Sequence, residues 1–221
     1  MRRILVDWLV DVHRKFKLRM DTMAMCIYIL EQFMCKTKEP VSKSKFQLVG
    51  IASLFIAAKY EEIYPPSLRD FVYVCADTYR SEELLDMEAR ILHVLNFELV
   101  HASCLQLHAV WRLQQVTQSR EDHLVQYLAF TCFLSSRLMR EEERVRAASV
   151  VYLSKKILSL PADASVLARD FCADPSKVKD AALHLFMLLT SGADASLTAV
   201  KRMFNHHHFS YVASLQLSLK L

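Results

Sequence analysis

The histidines and the known catalytic motifs are the first places to look for chemistry in this sequence. His206, His207 and His208 are the only local cluster of metal-ligating residue types. Adjacent histidines in an extended segment point in different directions and have no fourth ligand at helical or hairpin spacing, so a surface tract is favoured over a metal site. The sequence has no Walker-type glycine loop, HExxH, GxSxG or kinase signature. We therefore expect no catalytic residue, cofactor or resident metal.

Two charged residues interrupt strongly apolar stretches. Lys59 ends the apolar part of IAAKYEEIYPP, and Glu88 lies within LLDMEARILHVLNF. A cation near a helix C-terminus is favoured by the helix dipole, and the glutamate can pair with Arg90 or Lys59. On these grounds alone, both residues are interpreted as structural.

The first sixteen residues have helical periodicity with two neighbouring apolar stripes. One stripe consists of Leu5, Leu9, Val12 and Phe16. The other consists of Met1, Ile4 and Trp8, with Asp11 and Lys15 on the same side. Such a helix either lies deep in a bundle or offers one stripe to a partner. Periodicity alone favours the bundle, because apolar stripes are usually core.

The same periodicity predicts helices along the whole chain. A second helix is expected from an N-cap at Asp21 to about Cys35, and a third, apolar on nearly every face, from Lys45 to about Tyr60. Further helices are expected at 68–75, 81–95, 103–115, 121–139, 144–158, 165–171 and 176–189. Five helices followed by five suggest a duplication, which we divide into residues 1–100 and 101–204, with a tail at 205–221.

Composition agrees with an all-α protein. The chain has 221 residues, of which 53% are hydrophobic, but only 2 glycines and 5 prolines. Many-stranded folds need more turn residues. The net charge is +4, the first hundred residues are neutral and no basic stripe alternates with aromatics, which argues against nucleic-acid binding. No apolar run is long enough to span a membrane, and the six cysteines are interpreted as mostly buried thiols in a reducing compartment.

A family resemblance is carried by one long segment. MRRILVDWLVDVHRKFKL resembles the opening of the cyclin box in A- and B-type cyclins, whose hallmark is M-R-x-I-L-x-D-W-L-x-[DE]-V. The resemblance continues through QLVGIASLFIAAKYEEIYPPSLRDFVYVCADTYRSEELLDMEARILHVLNFEL and covers about residues 1–100. The rest is similar only in helical spacing and length. The resemblance implies two tandem five-helix cyclin folds, without the N-terminal extension that such cyclins usually carry.

The resemblance also implies a protein partner. Cyclins bind and activate cyclin-dependent protein kinases. In related cyclins, the lysine of the A-[AS]-K-[FY]-E-E run and the glutamate of the M-E run hydrogen-bond backbone groups flanking the C-helix of the kinase. This implies that role for Lys59 and Glu88. Ile56, Tyr60 and Phe97 are expected, by analogy, to pack on the same kinase helix.

A second implied site is the family's substrate-docking patch. It maps onto Met1, Ile4, Leu5 and Trp8, flanked by Asp11 and Gln47. In related cyclins the patch receives Arg-x-Leu-type motifs of substrates or inhibitors, with the acid meeting the arginine and the groove taking the leucine. The implication reverses the interpretation of the second stripe from core to binding face. Arg3 stands where the family usually has a small residue, and Asp11 is shorter than the commoner glutamate.

The sequence therefore predicts a regulatory subunit rather than an enzyme. We expect it to bind and activate a cyclin-dependent kinase, to help recruit substrates and to control mitotic progression, in the nucleus and the cytoplasm, without binding nucleic acid or membrane. Two alternatives stay open, a transcription-type cyclin and a cyclin-fold protein resembling a general transcription factor. The MRRILVDWL opening and the DFVYVCADTY run favour the mitotic class.

Overall fold

The computed structural model describes residues 1–76, 78–115, 119–191 and 197–215. In these ranges the chain forms α-helices and short 3₁₀ helices, with no strand. The α-helices are α1 (Arg2–Phe16), α2 (Met20–Lys36), α3 (Phe46–Glu61), α4 (Leu68–Val74), α5 (Ser81–Val94), α6 (Cys104–Arg112), α7 (Ser119–Phe133), α8 (Glu143–Ile157), α9 (Ala164–Asp170), α10 (Pro175–Thr190) and α11 (Ala199–Phe204). The 3₁₀ helices are Lys43–Lys45, Leu138–Arg140, His207–Phe209 and Val212–Ser214. The chain divides into two compact units, Met1–His101 and Ala102–Leu221.

Helix α3 is the centre of the first unit. Every residue from Leu48 to Ala58 is buried, and the helix packs on α1, α2, α4 and α5. Small residues make this close packing possible. A Cβ atom placed on Gly50 would lie 2.8 Å from Leu5 Cδ1, so the Leu5 side chain of α1 packs directly against α3 where position 50 has no side chain. The prediction of a central, all-round apolar third helix is confirmed.

The start of α2 differs from the sequence prediction. Arg19, not Asp21, is the N-cap residue, and Asp21 lies in the first turn, 3.1 Å from the Arg19 guanidinium. The capping acceptor comes from a distant part of the chain. Glu62 Oε1 accepts the Arg19 backbone N–H at 2.8 Å and the Thr22 hydroxyl at 2.5 Å. A carboxylate at a helix N-terminus is also favoured by the helix dipole, so Glu62 fixes where α2 begins.

A buried histidine supports the connection between α1 and α2. Lys17 ends α1 in a left-handed conformation with a φ of 55°, and the Leu18 N–H bonds to the His13 carbonyl. His13 is 1% exposed, and its Nε2 lies 2.9 Å from the Arg19 carbonyl oxygen. Burial lowers the pKa of His13 below its usual value, and the hydrogen bond to Arg19 opposes this shift. The imidazole is therefore a part of the core that links both helices.

Helix α8 has the central position in the second unit. It packs on α6, α7, α9 and α10, and its buried Ser149 hydroxyl donates to backbone carbonyls of both α8 and α10. The single helix predicted at 121–139 is wrong in its second part, because α7 ends at Phe133. The Ser135 hydroxyl accepts the Leu138 N–H at 3.3 Å and starts the 3₁₀ helix Leu138–Arg140. A serine side chain competes with helical hydrogen bonding in this way.

The second unit contains a short helix that the sequence did not predict. Helix α11 buries Phe204 against α7, with ring centroids 5.7 Å from Tyr127 and 5.4 Å from Phe130. The segment 205–215 continues along the same helix, where Phe209 contacts Phe204 and Val212 is 1% exposed. A six-residue amphipathic helix is too short for periodicity to reveal, so aromatic packing determines it.

Four of the six cysteines are buried, and two are exposed. Cys26, Cys104 and Cys132 lie in helices, and Cys75 follows α4. Burial raises the pKa of the Cys75 thiol to about 11. Cys35 and Cys172 are exposed, and none of the six forms a disulfide. The buried thiols act as small apolar side chains.

Candidate functional site

Lys59 and Glu88 are brought together on the surface of the first unit. Lys59 lies in the last turn of α3, and its ammonium forms an ion pair with the Glu88 carboxylate on α5. The same ammonium lies 4.1 Å from the ring centroid of Phe55. The Lys59 side chain is 42% exposed and the Glu88 side chain 12%. The alternative partner, Arg90, instead pairs with a different glutamate of the first unit. An oriented cation and anion, 29 positions apart in sequence, thus form one polar site.

Two aromatic residues predicted to contact the kinase are exposed, and an aliphatic one is not. Tyr60 is 53% exposed and Phe97 is 63% exposed. Phe97 follows α5 in a left-handed conformation with a φ of 58°, after Asn96 with a φ of 50°. Such a backbone is rare for a bulky residue, and here it turns the aromatic side chain outward. Ile56 is 3% exposed, so its side chain belongs to the core and offers little area to a partner.

A groove lies between α1 and the start of α3. Its volume is about 340 Å³. It is lined by Met1, Ile4, Leu5, Trp8, Lys43, Phe46 and Gln47. Met1 and Ile4 are 62% and 65% exposed, whereas Leu5 is 6% exposed and forms the floor beside Gly50. The structure therefore gathers all of the predicted docking residues except Asp11 into one apolar depression.

The charges at this groove differ from the sequence expectation. Asp11, one turn beyond Trp8 on α1, is outside the lining, and its Oδ1 lies 3.6 Å from the Arg14 guanidinium. Lys43 contributes the one charged side chain among the lining residues, and sequence reasoning missed it. Phe46 was also missed as a lining residue. It directly precedes Gln47 in the predicted third helix, and this position next to a predicted docking residue is the signal that could have identified it.

Two further observations concern metals and membranes. Within the described ranges, no three His, Cys, Asp or Glu side chains are grouped closely enough to hold a metal ion. His206, His207 and His208 are exposed, and His206 Nδ1 accepts the His208 backbone N–H at 3.3 Å. None of the described helices is long and apolar enough to cross a membrane.

Over the residues that the structure describes, the protein is all-helical and consists of two units, and the first unit carries the Lys59–Glu88 ion pair and an apolar groove. Residues 1–100 match the family model described as "Cyclin, N-terminal domain", and residues 94–218 match "Cyclin, C-terminal domain". The chain belongs to the cyclin family. The resemblance carried by the opening segment and the tandem helical fold are both confirmed.

Several mitotic cyclins are similar in sequence. The chain is 42% identical over 159 residues to G2/mitotic-specific cyclin-3 of Saccharomyces cerevisiae, covering 71% of this chain and 36% of that protein. It is 40% identical over 160 residues to human G2/mitotic-specific cyclin-B2, covering 72% and 39%. With Cyclin-A1-1 of Oryza sativa it shares 31% identity over 221 residues, covering 96% and 43%. The chain thus spans about two fifths of the length of these relatives.

Solved structures share the fold at much lower sequence identity. A viral cyclin from herpesvirus saimiri superposes with a TM-score of 0.74 at 15% identity, covering 83% of this chain and 82% of the viral one. A chain of the yeast RNA Pol II CTD kinase CTDK-1 complex superposes with a TM-score of 0.72 at 11% identity, covering 100% and 87%. At these identities the likeness is evidence of the fold alone.

Proposed function

We propose that this chain is the cyclin-box region of a regulatory subunit that binds and activates a cyclin-dependent protein kinase during mitosis. The observation that carries the proposal is the Lys59–Glu88 ion pair on the same unit as the exposed Tyr60 and Phe97. The mitotic cyclins among its relatives, at 31–42% identity, support it. Control of mitosis further implies that the protein acts in the nucleus and the cytoplasm.

The ion pair is chemically suited to hold a peptide backbone. An ammonium has three N–H donors, and an ionised carboxylate has about four acceptor sites. Lys59 and Glu88 can therefore keep their mutual contact while the lysine donates to kinase carbonyl groups and the glutamate accepts from kinase N–H groups. Tyr60 and Phe97 supply apolar area that excludes water from those bonds, which strengthens them.

Activation follows from preferential binding to one kinase conformation. A protein kinase is active when its strand lysine pairs with the glutamate of its C-helix and its activation loop is held open. A rigid helical unit pressed against the C-helix binds this arrangement better than the inactive one and shifts the population toward it. The cyclin contributes no catalytic group. An interface of this kind typically buries on the order of 2,000 Å² or more.

We further infer that the groove recruits substrates or inhibitors with Arg-x-Leu-type motifs. The apolar lining of Ile4, Leu5 and Trp8 suits a leucine side chain. Asp11 has to release Arg14 before it can pair with the arginine of the motif. Lys43, in addition, repels a basic residue at its end of the groove. The leucine is therefore expected to contribute more to affinity than the arginine.

Reconstitution with purified proteins tests the proposal. The chain is mixed with the inactive kinase recovered from its source cell, and phosphorylation of histone and of a polymerase tail peptide is measured. We expect histone phosphorylation to rise by orders of magnitude, and the chain alone to show none. Activity from the chain alone would contradict the regulatory assignment. Exclusive phosphorylation of the polymerase tail peptide would favour a transcription-type cyclin instead.

A further inference from the structure

The second unit contains a cavity that none of the sites above uses. Its volume is about 400 Å³, and it lies between the C-terminal part of α6, helix α8, the 161–163 loop and helix α9. Its lining includes Trp111, Lys155, Asp163, Val166 and Asp170. The size suits one or two amino-acid side chains rather than a single water molecule.

The positive charge in the lining already has a partner. Lys155 Nζ lies 3.1 Å from Glu121 Oε1, and Glu121 is only 2% exposed. A carboxylate buried to this degree needs a counterion, so Lys155 remains in its ion pair with Glu121. The same ammonium lies 5.7 Å from the centroid of the Trp111 ring, which holds the indole and the lysine in one arrangement. Lys155 is therefore unsuited to receive an anionic ligand.

Unlike Lys155, the two aspartates of the lining, Asp163 and Asp170, have no ion-pair partner in the part of the chain that the structure describes. Both are exposed. Asp163 precedes α9, and its Oδ1 accepts the Ser165 N–H at 2.7 Å. Asp170 is the last residue of α9, and its Oδ2 accepts the Trp111 indole N–H at 3.2 Å. Each carboxylate keeps further acceptor sites after these bonds.

Asp170 stands where a negative charge is unfavourable. Asp170 lies at the C-terminal end of α9, where the negative end of the helix dipole disfavours a carboxylate and favours a cation. With Lys155 neutralised by Glu121, the two aspartates leave the cavity with negative charge. A cationic group placed beside Asp170 would interact favourably with the carboxylate and with the end of α9. The electrostatics therefore select a cation as the occupant.

We propose that this cavity binds an arginine side chain of a partner peptide, together with an adjacent apolar residue. A guanidinium offers planar N–H donors that match a carboxylate, and its apolar stem can lie against the Trp111 indole. Val166 is 43% exposed and Leu167 is 5% exposed, so they provide an apolar rim and floor for the neighbouring residue. The partner is a basic, partly apolar peptide segment. The inference does not depend on the proposed kinase activation.

The distribution of tryptophan allows a direct test on the full chain. The chain has 2 tryptophans, Trp8 in the groove of the first unit and Trp111 in the cavity. The Trp8→Phe variant therefore retains Trp111 as its sole indole reporter. It is titrated with the peptide acetyl-Ala-Arg-Val-Ala-amide, and then with the same peptide carrying citrulline, which has the shape of arginine but no charge. We expect a saturable change in Trp111 fluorescence with arginine and about tenfold weaker binding with citrulline.

Charge-neutralising variants that preserve the local hydrogen bonds complete the experiment. Asp170→Asn retains an oxygen to accept the Trp111 N–H, and Asp163→Asn retains a good N-cap, so both should fold. In the Trp8→Phe background, each substitution should weaken binding of the arginine peptide several-fold. The two together should weaken it by about tenfold or more. Asp180→Asn, an exposed acid on α10, is the matched control and should change nothing. The proposal is overturned if arginine and citrulline bind equally, if no saturation occurs, or if Asp180→Asn has the same effect.

Discussion

Replacing Lys59 with methionine removes one ammonium and keeps an unbranched stem, so it tests the proposed kinase contact with little disturbance of the fold. In the free chain, Lys59 has two interactions to lose, its ion pair with Glu88 and its contact with the Phe55 ring. With a Lys59 side chain that is 42% exposed, the ion pair contributes about 0.2–1 kcal/mol. Methionine retains packing on Phe55. The free energy of unfolding should fall by about 1 kcal/mol, which for a chain of this size lowers the melting temperature by about 2–4 °C.

The same substitution should have a much larger effect on kinase binding. In the complex, the loss of Lys59 leaves Glu88 and the kinase carbonyl groups without a cation in a water-poor interface. Removing one partner of such a buried, charge-assisted contact costs about 2–5 kcal/mol. At 1.4 kcal/mol per factor of ten, Kd should rise by about 30-fold to several thousand-fold, mainly through faster dissociation. Glu88→Gln should act similarly, and the double variant should lose less than the sum, because both residues hold one segment.

Two measurements on the same preparations decide the outcome. Thermal melts give the stability of the free chain, and surface plasmon resonance on immobilised kinase gives the dissociation rate and Kd. Lys179→Met, which removes an exposed lysine on α10, is the control for charge and should leave both values unchanged. If Lys59→Met binds with the parental Kd, the assignment of Lys59 to the kinase interface is wrong. A fall in melting temperature beyond about 10 °C would instead assign the residue to the internal structure.

Three further outcomes follow from the structure. Trp8→Ala should slow the phosphorylation of substrates that carry an Arg-x-Leu motif and leave short peptides without the motif unaffected; equal loss on both would place Trp8 in the core. Gly50→Ala should destabilise the chain by about 1 kcal/mol, because overpacking against Leu5 exceeds the gain in helix propensity, and should also weaken docking; a more stable variant in urea unfolding would contradict this packing argument. Burial, helped by the neighbouring Arg112, lowers the pKa of His108 to about 4. The unfolded chain, with a pKa near 6.5, takes up that proton first, so stability should fall between pH 6.5 and 4, by on the order of 3 kcal/mol. His108→Gln should reduce this slope in urea titrations at pH 7 and 4.5, and an unchanged slope would show that other groups cause it.

Local pattern was sufficient to predict helices α1–α10, but it did not predict α11 or several of the helix ends. The apolar run of α3 predicts a central helix because no face of it can remain in water. The start of α2 could not be predicted in the same way, since its acceptor, Glu62, lies 43 positions from Arg19. The end of α7 depends on which bond the Ser135 hydroxyl makes, and α11 depends on aromatic contacts with α7. These features are tertiary, and a short window of sequence does not contain them.

The candidate sites show the same division. The family resemblance implies a kinase-binding role for Lys59 and Glu88, and residue physics had offered Lys59 and Arg90 as alternative partners of Glu88. The two sources disagree on Ile56: the all-round apolar pattern of α3 predicts that it is buried, as it is, whereas the family analogy placed it on the kinase-facing surface. Lys43 was missed because it lies in a three-residue 3₁₀ helix, where no period can develop. Its charge nevertheless changes what the groove will accept.

Helix α3 connects the two proposed binding sites of the first unit. Gln47 in its first turn lines the groove, and Lys59 in its last turn forms the pair with Glu88. They lie twelve positions apart in one continuous helix, which at 1.5 Å per residue corresponds to about 18 Å along the axis. The length and twist of this buried helix set the offset between the proposed kinase contact and the proposed docking groove. One residue inserted in α3 would rotate Lys59 by about 100° relative to the groove, and the two sites would then no longer serve the same substrate.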